Sequence, residues 1–369
     1  MSKKKICFIA QFPPPIHGLS KAVETLYNSQ LNEKYEFDKV NITNNKFFIL
    51  NLIKIARCKA DLFYFTISQT KGGNLRDLIV FKLLEKQKKK CLIHLHGGYY
   101  RKLIDHDLPE WQKRENYKAI EKLTGAIVLG PSLKYIFEGM LPEEKIYTVP
   151  NCVDDEYLIS DEEFEKKVKT ISERKIKHIL YLSNFIKSKG YPEVLEMAKL
   201  EKERVEAGEE PRFHFDFAGI FFEQEEEAFF WDYIHQHQIE GFITYHGVVT
   251  GNEKYELLKQ SDIFILLTRY PREGQPISIL EAMGNGMMII ATNYAGIPDV
   301  AKNGVNGVII SVDRPSKSLF NQLLSITDNV LRSTEKTNRD KIMHHFTQQK
   351  YIDNMFSVYR DCITLINDQ

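Results

Sequence analysis

The sequence predicts an α/β protein of two domains, each folded around a parallel sheet. Three observations carry that reading: strand-length apolar runs alternate with helical patterns, the 369 residues exceed what one core usually holds, and a charged stretch parts two such series. The first series opens at residues 5–10 (KICFIA), a strand that runs into a proline-rich turn, with a helix from about Ser20 onward. Residues 61–67, 91–95 and 125–129 supply further strands, and 147–149 closes the set. From Pro150 the text turns polar and charged until Ile179, which reads as a linker. The second series places strands at 178–182, 213–218, 243–246, 263–267, 287–291 and 307–310, with helices clearest at 191–200 and 253–260. Each series makes one doubly wound, Rossmann-like domain whose strand C-termini are the place for a ligand. The expected boundaries are 1–155 and 172–350, the two domains facing across a cleft and a C-terminal helix at about 352–369 completing the first.

Composition narrows the function classes. Fifty Lys+Arg against fifty Asp+Glu exclude a strongly basic nucleic-acid binder. The balance is a cancellation, because residues 1–150 hold 25 basic and 15 acidic side chains while residues 151–369 hold 25 and 35. The front is +10 and the back −10. The five cysteines are scattered with no C-x-x-C pair, which argues against a disulfide framework or a zinc cluster and suits a reducing cytosol. The basic start MSKKK leads into an apolar run too short for an export signal. The longest apolar stretch, 47–55, is interrupted by Asn51 and Lys54 and falls short of the roughly 20 residues a spanning helix needs. A cytoplasmic protein, peripheral on the inner face of the cell membrane, is expected.

The densest chemical signal lies between residues 262 and 310. After the strand IFILL comes TRYPR and then EGQPISILEAM, where Pro276 suits a first helical turn because its missing N–H is not needed there. Gly284 or Gly286 can end that helix. Glu273 then precedes the helix N-terminus and Glu281 rides on the helix, while the N–H groups of Gly274, Gln275, Ile277 and Ser278 form an anion site suited to phosphate. A carboxylate beside such a site is useful when it meets sugar hydroxyls, and Glu281 can hold a ribose diol as an acidic residue does in dinucleotide folds. The set describes a nucleotide diphosphate sugar, with ribose at Glu281, diphosphate at the helix end and hexose at Glu273. For an isolated pair of glutamates at this spacing, a helix-terminal charge and a solvated helix residue are the competing reading.

The long run EGQPISILEAMGNGMMIIATNYAGIPDVAKNGVNGVII resembles the nucleotide-sugar motif of retaining glycosyltransferases of the GT-B fold, family 4 in particular. The likeness extends back through ELLKQSDIFILL, YHGVV and DFAG, forward to a helix around 351–359, and to PPPIHGLSKAVETL and LIHLHGG in the front half. It implies that Glu273 contacts the transferred sugar near the reacting carbon, that Glu281 takes the ribose, and that Lys189, in NFIKSKGYPEVLEMA, neutralises the diphosphate. Lys187 competes with Lys189 for that task. Asn184 stands where the family usually has an arginine, so Lys187 or Arg269 is expected to compensate. Gln275 replaces a usual aromatic and offers an amide to the donor. Gly18 matches the family's glycine loop after the first strand, with His17 before it on the acceptor side. His96 matches a histidine that contacts the donor sugar, and His94 is expected packed on the opposite face of its strand.

The resemblance implies a metal-independent retaining transfer without cofactor, in which the leaving diphosphate takes the acceptor's proton on the face where the bond breaks. The residues agree, since no carboxylate pair is set up as nucleophile and acid and no Asp-x-Asp clip follows a strand; Asp154 and Asp155 fall in the linker. The expected donor is a nucleotide diphosphate sugar, UDP-linked by preference, carrying a hexose or N-acetylhexosamine. The resemblance implies a glycan acceptor, expected to be lipid-linked, in bacterial surface polysaccharide synthesis. The front domain should hold it, because Lys86, Lys88, Lys89 and Lys90 cluster there and residues 45–59 mix Phe, Ile and Leu with Lys and Arg, as an anionic membrane surface would require. A core helix with a solvated basic turn is the competing account of that segment. A non-catalytic partner subunit and a nucleotide-sugar epimerase are the other functions weighed, while a nicotinamide dehydrogenase lacks its G-x-G-x-x-G turn.

Overall fold

The computed structural model describes residues 3–14, 18–313 and 316–364, and these form two compact units. The first takes the described residues up to Asn151 together with 271–275 and those from Gln348 on; the second takes 152–270 and 276–347.

The first unit holds six parallel strands: β1 (Lys4–Ala10), β2 (Tyr35–Asn41), β3 (Leu62–Thr66), β4 (Cys91–His94), β5 (Gly125–Val128) and β6 (Ile146–Thr148), in the order β2-β1-β3-β4-β5-β6. Central β3 is buried along its whole length, which is why it reads as an unbroken apolar run. Edge strand β2 was not foreseen, because YEFDKVN buries only Tyr35 and Val40 and spends its other positions on polar or half-exposed side chains. The helix Gln348–Thr364 closes this core from the far end of the chain, setting Tyr359 against the rings of Phe8, Tyr35 and Tyr64 at 5.9–6.5 Å. Lys90 Nζ donates to its Cys362 carbonyl at 2.6 Å.

The second unit repeats the plan with β7 (Lys177–Leu182), β8 (Phe213–Ala218), β9 (Ile243–Tyr245), β10 (Ile263–Leu266), β11 (Met288–Thr292) and β12 (Gly307–Ile310), all parallel, in the order β12-β11-β10-β7-β8-β9. The chain winds outward from β7 to β9 and returns to place β10 on the other side of β7. Such a reversal leaves a crevice beyond the carboxyl ends of the two central strands.

The stretch read as a linker is folded into this unit. The helix Asp161–Lys169 starts at a capping box in which Ser160 Oγ accepts from Glu163 N at 3.2 Å and Glu163 Oε2 accepts from Ser160 N at 3.1 Å. Phe164 and Val168 turn inward. The S-x-x-E signature that marks this start is present in the sequence, but the charged residues around it mask the inward face.

A buried charge cluster lies beneath. Lys167 Nζ donates to the carbonyls of Ser261 and Asn285 at 2.6 and 2.9 Å, while neither carboxylate oxygen of fully buried Glu335 has a hydrogen-bond partner among the described residues. Burial pushes the Glu335 carboxyl up to about 7, against the pull of Lys167. An acid whose folded pKa is raised contributes stability at low pH that is lost as pH rises from its unfolded value of about 4.5 through 7. Glu335→Gln should therefore flatten the fall in melting temperature over that window and be the more stable protein at pH 8, by about 3 kcal/mol at most. Parallel pH profiles of thermal unfolding for the two proteins would refute this assignment if their slopes coincide.

Candidate active site

At the β7–β10 crevice the two loops are joined by backbone. The loop after β7 makes a turn at Lys187–Lys189 and reaches Gly190, whose φ of +88° belongs to the left-handed region. A Cβ there would stand 2.5 Å from the Leu267 carbonyl oxygen, so only glycine lets the β7 loop lie this close to the end of β10. Arg269 N donates to Ser188 O at 2.6 Å and ties the loops together. Lys189 is thereby placed at the switch point, its ammonium 5.3 Å from the centre of the Tyr270 ring. Lys187 lies over the Phe229 ring at 4.7 Å, and Arg269 pairs with Glu193 at 2.5 Å. The two cations expected to compensate for Asn184 are therefore both engaged with neighbouring side chains.

The helix after β10 spans Ile277–Gly284, with Pro276 in the capping position rather than inside the first turn. Its leading N–H groups, those of Ile277 and Ser278, are the ones a helix cannot satisfy internally. Asn285 caps the far end and Gly286 follows at a φ of +82°. Glu281 is 4% exposed, and its Oε1 accepts from Lys254 Nζ at 2.7 Å. Burial raises the Glu281 carboxyl above its ordinary range, and the Lys254 charge and hydrogen bond pull it back down. Lys254 also lies 3.9 Å from the Tyr157 ring centre.

Residues 271–275 group with the first unit. The cause is close packing: a Cβ on Gly274 would meet Gly97 Cα at 2.9 Å and His96 O at 3.0 Å. Glu273 is thus carried to the end of β4, beside the backbone of His96, and is 9% exposed. Gln275 locks this placement. Its Oε1 accepts from Asn151 N at 2.8 Å, its Nε2 donates to Leu129 O at 3.1 Å, and its carbonyl accepts from Asn151 Nδ2 at 3.0 Å. Both polar atoms of the Gln275 side chain thus hold the loop to backbone, a task that the sequence did not suggest for it.

The ring of half-buried His96 lies 3.9 Å from that of His94, so the two histidines share one side of the chain and the opposite-face expectation fails. Residues two apart in extended chain point the same way. His94 is packed as expected, with Nδ1 2.7 Å from the hydroxyl of Tyr64; burial and the neighbouring His96 hold it well below the usual histidine range. Gln69 presses on Gly97 and accepts from Tyr99 N at 2.7 Å, shaping the turn after β4. Gly18 opens the helix Gly18–Tyr27 after β1, and His17 lies outside the described residues.

Residues 161–340 match the family described as Glycosyl transferases group 1. The whole chain also overlays the crystal structure of Anabaena HepE in complex with UDP and glucose, with a TM-score of 0.71 at 13% identity, covering 97% of this chain and 100% of that one. The chain has the GT-B fold, and its second unit carries the glycosyl transferase family match. It shares 34% identity over 113 residues, 30% of its own length, with the Escherichia coli UDP-Gal:alpha-D-GlcNAc-diphosphoundecaprenol alpha-1,3-galactosyltransferase, and spans only 28% of that relative. A 41.2 kDa protein from the cps region of Klebsiella pneumoniae is 22% identical over 336 residues, 87% of this chain and 84% of that one.

Within each unit the structure sets beside the candidate residues neighbours that no pattern indicated. Lys254, Tyr157 and Tyr270 come from other segments than the long motif, and Asn151 and Gln69 act through backbone contacts that leave no residue-type signature. Among the described residues, no group of three or more His, Cys, Asp or Glu is placed to hold a metal ion, and no helix is long and apolar enough to cross a membrane.

Proposed function

We propose that the chain moves a hexose or N-acetylhexosamine from a nucleotide diphosphate sugar, UDP-linked by preference, to a lipid-linked glycan acceptor in bacterial surface polysaccharide synthesis, working at the inner face of the cell membrane. The observation that carries the reading is the β7–β10 switch point, where the Lys189 loop and the loop leading into the helix Ile277–Gly284 are hydrogen-bonded together. A lysine and a helix N-terminus at one crevice suit a diphosphate leaving group, whose negative charge grows in the transition state. Glu281 then takes the ribose hydroxyls, Glu273 faces the sugar carbon as positive charge develops there, and His96 contacts the sugar. The transfer proceeds with retention and without a metal, the departing phosphate accepting the proton of the incoming hydroxyl.

Two relatives support the substrates. The Escherichia coli enzyme is named for UDP-galactose and a diphosphoundecaprenol-linked acceptor, and HepE was crystallised with UDP and glucose. The competing reading, a non-catalytic partner subunit, is favoured by Asn184 together with the engagement of Lys187 and Arg269. Thermal shift against a panel of nucleotide sugars, followed by a search for slow donor hydrolysis, separates the two. A UDP-sugar that stabilises the protein and is hydrolysed upholds the enzyme; no stabilisation and no hydrolysis by any member of the panel would leave the subunit reading standing.

A further inference from the structure

An amphipathic helix in a folded domain ordinarily turns its apolar side inward. The helix Phe48–Arg57 departs from this. It buries Asn51 and Ile55, with Asn51 Nδ2 donating to the Asn41 carbonyl at 3.0 Å, and leaves Ile49 72%, Leu50 56% and Ile53 43% exposed. Phe47, just before it, is 54% exposed. The helix Lys71–Lys86 packs alongside and is joined to the start of this segment by Arg76 Nη1, which donates to Asn45 Oδ1 at 3.5 Å. It contributes Leu75 and Ile79, one turn apart and both exposed.

The charge around this face has one dominant sign. No Asp or Glu occurs between Asp38 and Asp61, whereas Lys46, in the turn before the first helix, and Lys54 and Arg57, on it, are exposed. On the second helix Lys71, Lys82 and Lys86 extend the exposed stripe that holds Leu75 and Ile79; Lys82 is paired with Glu115 at 2.6 Å. A second copy of the chain would bring this positive rim against its like, so self-association is the poorer fit. An anionic surface with an apolar interior satisfies both the rim and the side chains it surrounds.

We propose that the outer faces of the helices Phe48–Arg57 and Lys71–Lys86 form one membrane-docking surface, in which Phe47, Ile49, Leu50, Ile53, Leu75 and Ile79 enter the acyl boundary of an anionic bilayer while the lysines meet its headgroups. The inference rests on the membrane-borne acceptor proposed above and names the surface that reaches it. These six side chains are 41–72% exposed and none belongs to the buried core.

The test is co-sedimentation of the full chain with phosphatidylglycerol-containing vesicles and with pure phosphatidylcholine vesicles. Wild type should bind the anionic vesicles at least about tenfold better than the neutral ones. Ile49→Glu/Ile53→Glu and Leu75→Glu/Ile79→Glu should each lose at least about tenfold of that binding, while Val330→Glu, at an exposed site in the second unit, should lose none. Unchanged melting temperatures verify that the variants fold. Equal binding by wild type and both face variants would overturn the proposal, as would self-association of wild type that the face variants abolish. Donor stabilisation and hydrolysis are measured separately without vesicles: the absence of both refutes the transferase reading and leaves the vesicle result to stand or fall alone.

Discussion

Glu273→Gln is expected to lower kcat for sugar transfer by at least about a hundredfold while leaving the protein folded. The replacement keeps the volume and hydrogen-bonding reach of the side chain and removes only its charge. Glu273 is 9% exposed, on a loop held by the Gly274 approach to Gly97 and by the three hydrogen bonds around Gln275. A charge in a site this dry acts on a developing oxocarbenium ion far more strongly than one in water, so its loss should fall mainly on kcat and only weakly on donor KM. Steady-state kinetics with the donor found in the panel provide the check. A kcat within a few-fold of wild type would remove Glu273 from the chemistry, whereas a raised KM at constant kcat would make it a binding residue only.

The second large effect concerns a residue that has no counterpart in the motif. Lys254→Met should raise donor KM by at least about tenfold, because it strips the buried Glu281 carboxylate of its ion-pair partner. Burial already lifts the Glu281 carboxyl, and Lys254 is what draws it down. Without that ammonium the group takes up a proton, and a neutral acid is a poorer acceptor for the two ribose hydroxyls than a carboxylate. The sign of the pH effect follows: donor affinity in the variant should recover as pH rises and Glu281 ionises, where wild type is nearly flat. The folded protein should also be destabilised by about 3 kcal/mol at neutral pH, the cost of breaking a buried pair. Lys254→Met/Glu281→Gln should regain that stability without regaining affinity. Donor KM measured across pH for all three proteins tests the claim; an unchanged KM in Lys254→Met would show that the pair is structural.

Much of the fold was legible because parallel strands buried on both faces are written as unbroken apolar runs. KICFIA, DLFYFTI and IFILL each mark a central strand for that reason. Strand β2 escaped because an edge strand with one wet face needs no such run, and the helix Asp161–Lys169 escaped because Glu and Lys dominate its exposed side. Among the candidate residues, Glu273 and Glu281 were singled out by residue type and spacing, and Lys189 by the family resemblance of its segment. Lys254 was not, since its helix, Gly251–Gln260, meets Glu281 only after the second sheet has formed.

The sequence by itself determined the class of fold, the two successive strand series, and the pairing of a carboxylate with a helix start after β10, because these depend on local propensity and on which stretches can be buried. Only the tertiary structure decided that Gln275 clamps the loop, that Lys187 and Arg269 are engaged by Phe229 and Glu193, and that Ile49, Leu50 and Ile53 of Phe48–Arg57 face outward. Each of those depends on what lies across from a side chain, and a polar or amphipathic residue takes the partner that packing brings to it. The same helical pattern can turn either way, and the sheet it lands on chooses.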